Sequence, residues 1–156
     1  MAVLESPGGC PRCGEQPVAL VPVPSTRPVV RRRGHDPLAR TARRAATVLR
    51  RVGYNCTVVP ALRHRRAVLD QAGLDAAARR VNLAAALGVP PAGQTLLATR
   101  CRVLVDDVVT TGATLAEAAR ALTAAGRPPC AAAVITATPA QQRISGVDAT
   151  RGASSK

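Results

Sequence analysis

The chain has no Phe and no Trp, a single Tyr, and one lysine at its very end, Lys156. Without large aromatic side chains the core must be built from Val, Leu and closely packed Ala. The same lack argues against a platform that stacks the bases of single-stranded nucleic acid. Acid is scarce as well: 9 Asp and Glu against 22 Lys and Arg give a formal charge of +13 over 156 residues. A surface of that sign suits nucleic acid, anionic metabolites or acidic partners. The joint excess of Ala, Arg, Pro, Gly and Val is also what a GC-rich genome produces. No apolar run approaches the roughly 20 residues of a membrane span, and the N-terminus lacks the parts of a signal peptide. No membrane association and a cytoplasmic location are therefore expected. The cysteines, at 10, 13, 56, 101 and 130, are odd in number and irregular in spacing. That pattern speaks against a disulfide framework and for a reduced protein.

The length fits one domain with a modest core. Residues 1–17 are rich in Gly and Pro and read as a loop or loose terminus, 18–138 as the folded domain, and 139–156 as a flexible tail. Residues 18–23 form an apolar run that reads as a buried strand. Pro37 can open a helix, and Leu38, Ala42, Ala45, Leu49 and Val52 recur at helical spacing with arginines on the other face. A second strand is expected over 56–61, a basic loop over 63–70, and a second amphipathic helix over 74–87, stopped by Gly88 and the Pro90-Pro91 pair. A third strand over 101–105, a helix over 114–125 closed by Gly126, and a strand over 130–137 complete the pattern. Strands alternating with helices predict an α/β fold: a parallel sheet flanked by helices with right-handed crossovers. There is no internal repeat.

The most informative stretch is Val103-Leu104-Val105-Asp106-Asp107-Val108-Val109-Thr110-Thr111-Gly112-Ala113-Thr114. An apolar run delivers two adjacent carboxylates to the carboxyl end of a strand, where open α/β sheets place their ligands. The Thr/Gly turn can aim backbone N–H groups and hydroxyls at a phosphate, and the following helix adds its positive N-terminal end. Two acids beside a phosphate cradle fit a sugar phosphate, whose hydroxyls donate to carboxylates. The plainer alternative is an ordinary βα turn with an Asp near a helix N-cap; it accounts for one acid and not the pair.

The segment resembles the PRPP-binding motif of type I phosphoribosyltransferases, where PRPP is 5-phosphoribosyl 1-diphosphate. Three further segments resemble the ComF family, the competence-associated phosphoribosyltransferase-like proteins. They are Val21-Pro22-Val23-Pro24, the basic step Arg31-Arg32-Arg33-Gly34, and the ordered set Gln71, Leu74, Arg79 and Asn82. The likeness spans roughly residues 20 to 137 and implies a Rossmann-like, type I phosphoribosyltransferase-like domain. It implies that Asp106 and Asp107 bind the ribose of PRPP and that Thr110, Thr111, Gly112, Ala113 and Thr114 bind its 5′-phosphate. Val23, Pro24, Ser25, Thr26 and Arg33 would form the pyrophosphate loop. Pro has no N–H, so Val23, Ser25 and Thr26 would have to donate there, with Arg27 and Arg31 to Arg33 neutralising charge. The alternative for this loop is a rigid surface turn with solvated arginines. Arg79 and Asn82, three apart on one helical face, would belong to a lid; the alternative is a solvated Arg and an ordinary helical Asn.

Mg²⁺ is the implied cofactor, bridging diphosphate and ribose oxygens with few protein ligands. The implied reaction is displacement of pyrophosphate from ribose C1 by an acceptor, helped by positioning and charge stabilisation. Purine-salvage relatives carry a carboxylate where this chain has Thr110, so the likeness does not imply 6-oxopurine salvage and leaves the acceptor open. Cys10 and Cys13 form half of a zinc knuckle, but no second Cys pair follows at suitable spacing, and His35 and His64 are distant in sequence. The family's knuckle and lead-in segment are not found before residue 18, so a reduced hood is expected. The rival function is a non-enzymatic DNA-uptake accessory that binds single-stranded DNA, suggested by the family's association with DNA uptake and by the charge. The sequence does not set the oligomeric state.

Overall fold

The computed structural model describes residues 2–5, 16–25, 36–66, 81–109 and 112–137. In chain order its elements are β1 (Ala2–Glu5), β2 (Val18–Pro22), α1 (Pro37–Arg51), β3 (Cys56–Val58), β4 (Arg63–His64), β5 (Leu87–Gly88), α2 (Pro91–Leu97), β6 (Cys101–Val109), α3 (Ala113–Ala124) and β7 (Ala131–Ala137). The main sheet runs in the order β1-β7-β6-β2-β3. Four strands are parallel and β1 is antiparallel at the edge. β4 and β5 form a separate antiparallel ribbon. No helix among the described residues is long and apolar enough to cross a membrane.

β2 is an interior strand, between β6 and β3, which explains its unbroken Val-Ala-Leu-Val run. A strand covered on both faces needs no polar alternation, and Ala19, Leu20 and Val21 are all buried. α1 begins where Asp36 accepts from the N–H groups of Leu38 (3.0 Å) and Ala39 (3.3 Å). Pro37 supplies the preset φ of a first helical residue. Leu38, Ala39, Ala42 and Ala46 form its buried stripe. Val52 is 66% exposed rather than inward, because the helix closes at Arg51 and Gly53 turns the chain at φ 93°. The core is filled by leucines and valines such as Leu62, Leu97, Leu104, Leu122 and Val134, with small alanines letting α3 approach the sheet.

The connectivity defines one special place. From β2 the chain steps to β3 on one side; it later enters β6 on the other side of β2 and steps outward to β7. Crossovers of one hand then put α1 and α3 on opposite faces. Between the carboxyl ends of β2 and β6 the two halves diverge, which makes the crevice where open α/β sheets bind ligands.

Several expectations are corrected. Residues 2–5 are an edge strand rather than loop, because Ala2–Glu5 finds an open ladder on the Ala-rich β7. β6 does not stop at Val105 but runs through both acids to Val109, held by β7 alone once β2 has ended. Of the helix expected over 74–87, residues 74–80 lie outside the described residues and 81–83 are helical. The chain turns at 84–85, with Ala85 at φ 53°, and then enters β5. Pro91 opens α2 instead of closing a helix, as suits a residue without an N–H. Part of the basic loop over 63–70 is strand β4. Cys101, buried at the start of β6, is disulfide-bonded, where the cysteine count suggested a reduced chain. The tail from 139 lies outside the described residues.

Candidate functional site

The acids stand at the switch point. Pro22, the last residue of β2, pairs with Val105, so Asp106 and Asp107 are the first residues of β6 beyond its neighbour. They differ in environment. Asp106 shares its face with Leu104 and is 7% exposed; Asp107 points the other way and is exposed. Asp106 Oδ1 accepts from the Asp107 N–H at 2.9 Å, and Asp107 Oδ1 from the Val108 N–H at 2.8 Å. Neither forms an ion pair with any described residue; the one salt bridge there joins Glu117 and Arg120. Burial pushes the Asp106 carboxyl up to about 6 from an ordinary 3.8. The Asp107 N–H pulls it down, and the neighbouring Asp107 carboxylate raises it again. A buried acid with a displaced titration at a strand end is a candidate ligand group on physical grounds.

Beyond β6, Gly112 takes the left-handed conformation, φ 71°, and serves as N-cap of α3. No described side chain caps this helix. The positive end of α3 faces the acids' end of the sheet. Ala113 and Thr114 form its first turn, one residue earlier than the sequence pattern suggested.

The loop after β2 arrives at the same end. The Val23 N–H donates to the Val105 carbonyl at 2.9 Å. That bond consumes the donor that sequence reasoning assigned to an incoming diphosphate. Ser25 Oγ donates to Asp36 Oδ1 at 3.2 Å, tying the loop to the start of α1. Pro24 presents its carbonyl to His64 Nε2 at 3.2 Å. A carbonyl only accepts, so Nε2 donates in this bond. His64 Nδ1 is buried and has no hydrogen-bond partner among the described residues. His64, which looked remote in sequence, thus joins the ribbon to the candidate loop across 40 residues.

Glu117 and Arg120 were also missed. Arg65 N–H bonds to Ala86 O across the ribbon; the next pair, His64 and Leu87, then turns its N–H and C=O groups outward. Glu117 Oε1 accepts the Leu87 N–H at 3.0 Å, and Arg120 Nη2 donates to the Leu87 carbonyl at 3.2 Å. Arg120 also bonds Glu117 at 2.7 and 2.8 Å. Burial would raise the Glu117 carboxyl, but the Arg120 guanidinium and the Leu87 and Ala85 N–H groups together hold it below its ordinary value. α3 thereby grips the ribbon edge. An i,i+3 Glu–Arg pair reads from sequence as a solvated helix face, and only its burial reveals the clamp. Arg66 donates to the carbonyls of Asn82 (2.8 Å) and Ala84 (2.9 Å). Asn82 is therefore at the base of the ribbon.

The structure brings together Asp106, Asp107, Gly112, Ala113, Thr114, Val23, Pro24 and Ser25 at the carboxyl end of the sheet. Thr26, Arg33, Arg79, Thr110, Thr111, Cys10 and Cys13 lie outside the described residues. No group of three or more metal-ligating side chains occurs among the described residues. Comparison with known proteins gave no match to any family model, curated protein or solved structure.

Proposed function

We propose that the switch-point crevice binds PRPP and that the domain is type I phosphoribosyltransferase-like, of the ComF kind. The carrying observation is the place of Asp106 and Asp107: just past the end of β2, free of ion pairs with described residues, and next to a helix start that no described side chain caps. In this reading the carboxylates accept from ribose hydroxyls and the N-terminal turn of α3 receives the 5′-phosphate. The loop at Val23–Ser25 would border the diphosphate. With the Val23 N–H spent on Val105 and Ser25 Oγ on Asp36, its charge would fall to the arginines of the following segment.

Mg²⁺ suits this site only as a ligand-borne ion. Two adjacent carboxylates, each with one oxygen already engaged, fit a cation that keeps its waters and takes most oxygens from the diphosphate. Bound there, it would offset diphosphate charge. The reaction class is transfer of the phosphoribosyl group from C1 to an acceptor with release of pyrophosphate. The chain's own share is to orient the ribose and hold the phosphate. The test is calorimetric titration of PRPP with Mg²⁺. Asp106→Asn with Asp107→Asn should lose at least about 100-fold in affinity, two charge-assisted acceptors at ~1.5–3 kcal/mol each, with the fold intact by circular dichroism. An unchanged affinity refutes the assignment.

A second reading, DNA binding without turnover, is favoured by α1. Arg40, Arg43, Arg44 and Arg51 are exposed, the helix has no carboxylate, and none of them is ion-paired among the described residues. Such a row meets a phosphate backbone as a line of point charges. Single-stranded DNA should then bind with a steep salt dependence that flattens when these arginines become Gln; a salt-independent or absent gel shift removes this reading.

A further inference from the structure

A groove of about 410 Å³ lies away from the acids, between the β4–β5 ribbon and the C-terminal half of α3. Its apolar wall is made by Leu87, Val89, Ala121 and Ala124, and three guanidiniums, of Arg63, Arg65 and Arg120, stand around it. Their states differ. Arg63 is fixed by the carbonyls of Pro60 (2.7 Å) and Leu62 (2.9 Å) through Nη1 alone. Arg120 is fixed by Glu117 and Leu87. Each keeps donors in reserve, since a guanidinium has five. The Arg65 side chain makes no hydrogen bond to any described residue, and it lies flat over Gly88. A Cβ added at Gly88 would sit 2.7 Å from Arg65 Cδ and 3.0 Å from Cγ. The absence of a side chain at Gly88 is what lets Arg65 fold over the ribbon toward the groove.

The charge is uncompensated among the described residues. Glu117 is the only described carboxylate bonded to this set; it is 6% exposed and already committed to Arg120 and Leu87. Three guanidinium charges against one carboxylate leave two positive charges on a groove with an apolar wall. Three exposed arginines beside an apolar wall, with one described carboxylate among them, attract an oxyanion, and their planar forks suit phosphate. We propose that this groove is a second anion site, separate from the switch point, that takes a phosphate monoester with an apolar body. The dianion matches the two unbalanced charges, and the body covers Leu87, Val89 and the alanines of α3.

The test uses the full chain, ¹⁵N-labelled, at pH 7.5, with phenyl phosphate as the probe. Amide shifts should centre on Gly88, Ala121 and Ala124. Inorganic phosphate and benzoate should bind at least fivefold more weakly, and benzyl alcohol should leave these amides unmoved. Arg65→Gln, which breaks no hydrogen bond to a described residue, should weaken phenyl phosphate at least fivefold, and Arg65→Glu more. Gly88→Ala keeps every charge but pushes Arg65 aside, and should weaken binding too. Asp106→Asn should leave this affinity unchanged, so the groove and the switch point stand or fall separately. Shifts centred elsewhere, benzoate binding as tightly as phenyl phosphate, or full affinity in Arg65→Glu would overturn the proposal.

Discussion

Two strand-to-helix turns leave the same end of the sheet, and the protein treats them in opposite ways. At the turn from β2 to α1 the described polar groups are satisfied internally. The Val23 N–H is on Val105, Ser25 is on Asp36, and Asp36 caps the helix. At the turn from β6 to α3 the helix starts on a left-handed glycine without a cap from any described side chain, beside a buried acid whose described partner is a neighbouring N–H. The contrast extends to Glu117, whose buried carboxylate is neutralised by a guanidinium and two N–H groups. Asp106 is as deeply buried as Glu117 but has no cation among the described residues. A closed turn maintains the fold; an open one costs stability and leaves groups for a ligand.

The largest expected effect comes from Asp106. Its carboxyl titrates at about 6 in the folded chain, above its ordinary 3.8. Below that range both states hold the proton and the shift has no consequence. As pH rises from about 4 to about 6 the unfolded chain releases its proton first, so stability falls. Above 6 the full penalty stands, about 3 kcal/mol at most from the size of the shift. Asp106→Asn should therefore be more stable than the parent at pH 8 by up to that amount and equal to it near pH 4, by urea unfolding. Equal stability at both pH values would erase the difference between the two turns. Glu117→Ala should act in the other direction, losing about 2 kcal/mol because the Leu87 N–H and Arg120 are left without their acceptor; thermal unfolding reads it.

Smaller effects sharpen the contrast at the helix starts. Asp36→Ala should cost about 1 kcal/mol, as loss of a working cap does. Gly112→Ala should also cost about 1 kcal/mol, but through left-handed strain rather than lost bonds, and it should impair ligand binding where Asp36→Ala does not. Smallest is His64. His64→Gln can still place a donor near Pro24 and should stay within about 0.5 kcal/mol of the parent, whereas His64→Asn is too short and should lose about 1 kcal/mol. Equal effects of the two substitutions would mean that the Pro24 bond does not hold the loop.

The same contrast governs what could be read from the sequence. α1, α3, β2 and β7 were legible because their periodicity or apolar runs are long, and α3 began within one residue of expectation. β1, β4, β5 and α2 were not, because each is short and exists through a partner distant in sequence. Ala2–Glu5 needs β7, and Leu87 needs Glu117, 30 residues away. The paired acids were visible as a motif, but the strand running through them was not. Its last residues are held by β7 rather than by their own composition. That the Val23 N–H is already engaged was not legible, because the tertiary bond to Val105 that takes it is announced by no local pattern. His64 was passed over for the same reason.

The central claim, that Asp106 is left open for a ligand that needs it ionised, is tested most directly by the pH dependence of PRPP affinity. The quantity to follow is the ratio of parent to Asp106→Asn affinity with Mg²⁺, since the ratio cancels the ligand's own titration. The ratio should be large at pH 7.5 and shrink toward one by pH 5, with its midpoint near the Asp106 value of about 6. A ratio near one at pH 7.5, or one that does not change across that range, would contradict the account.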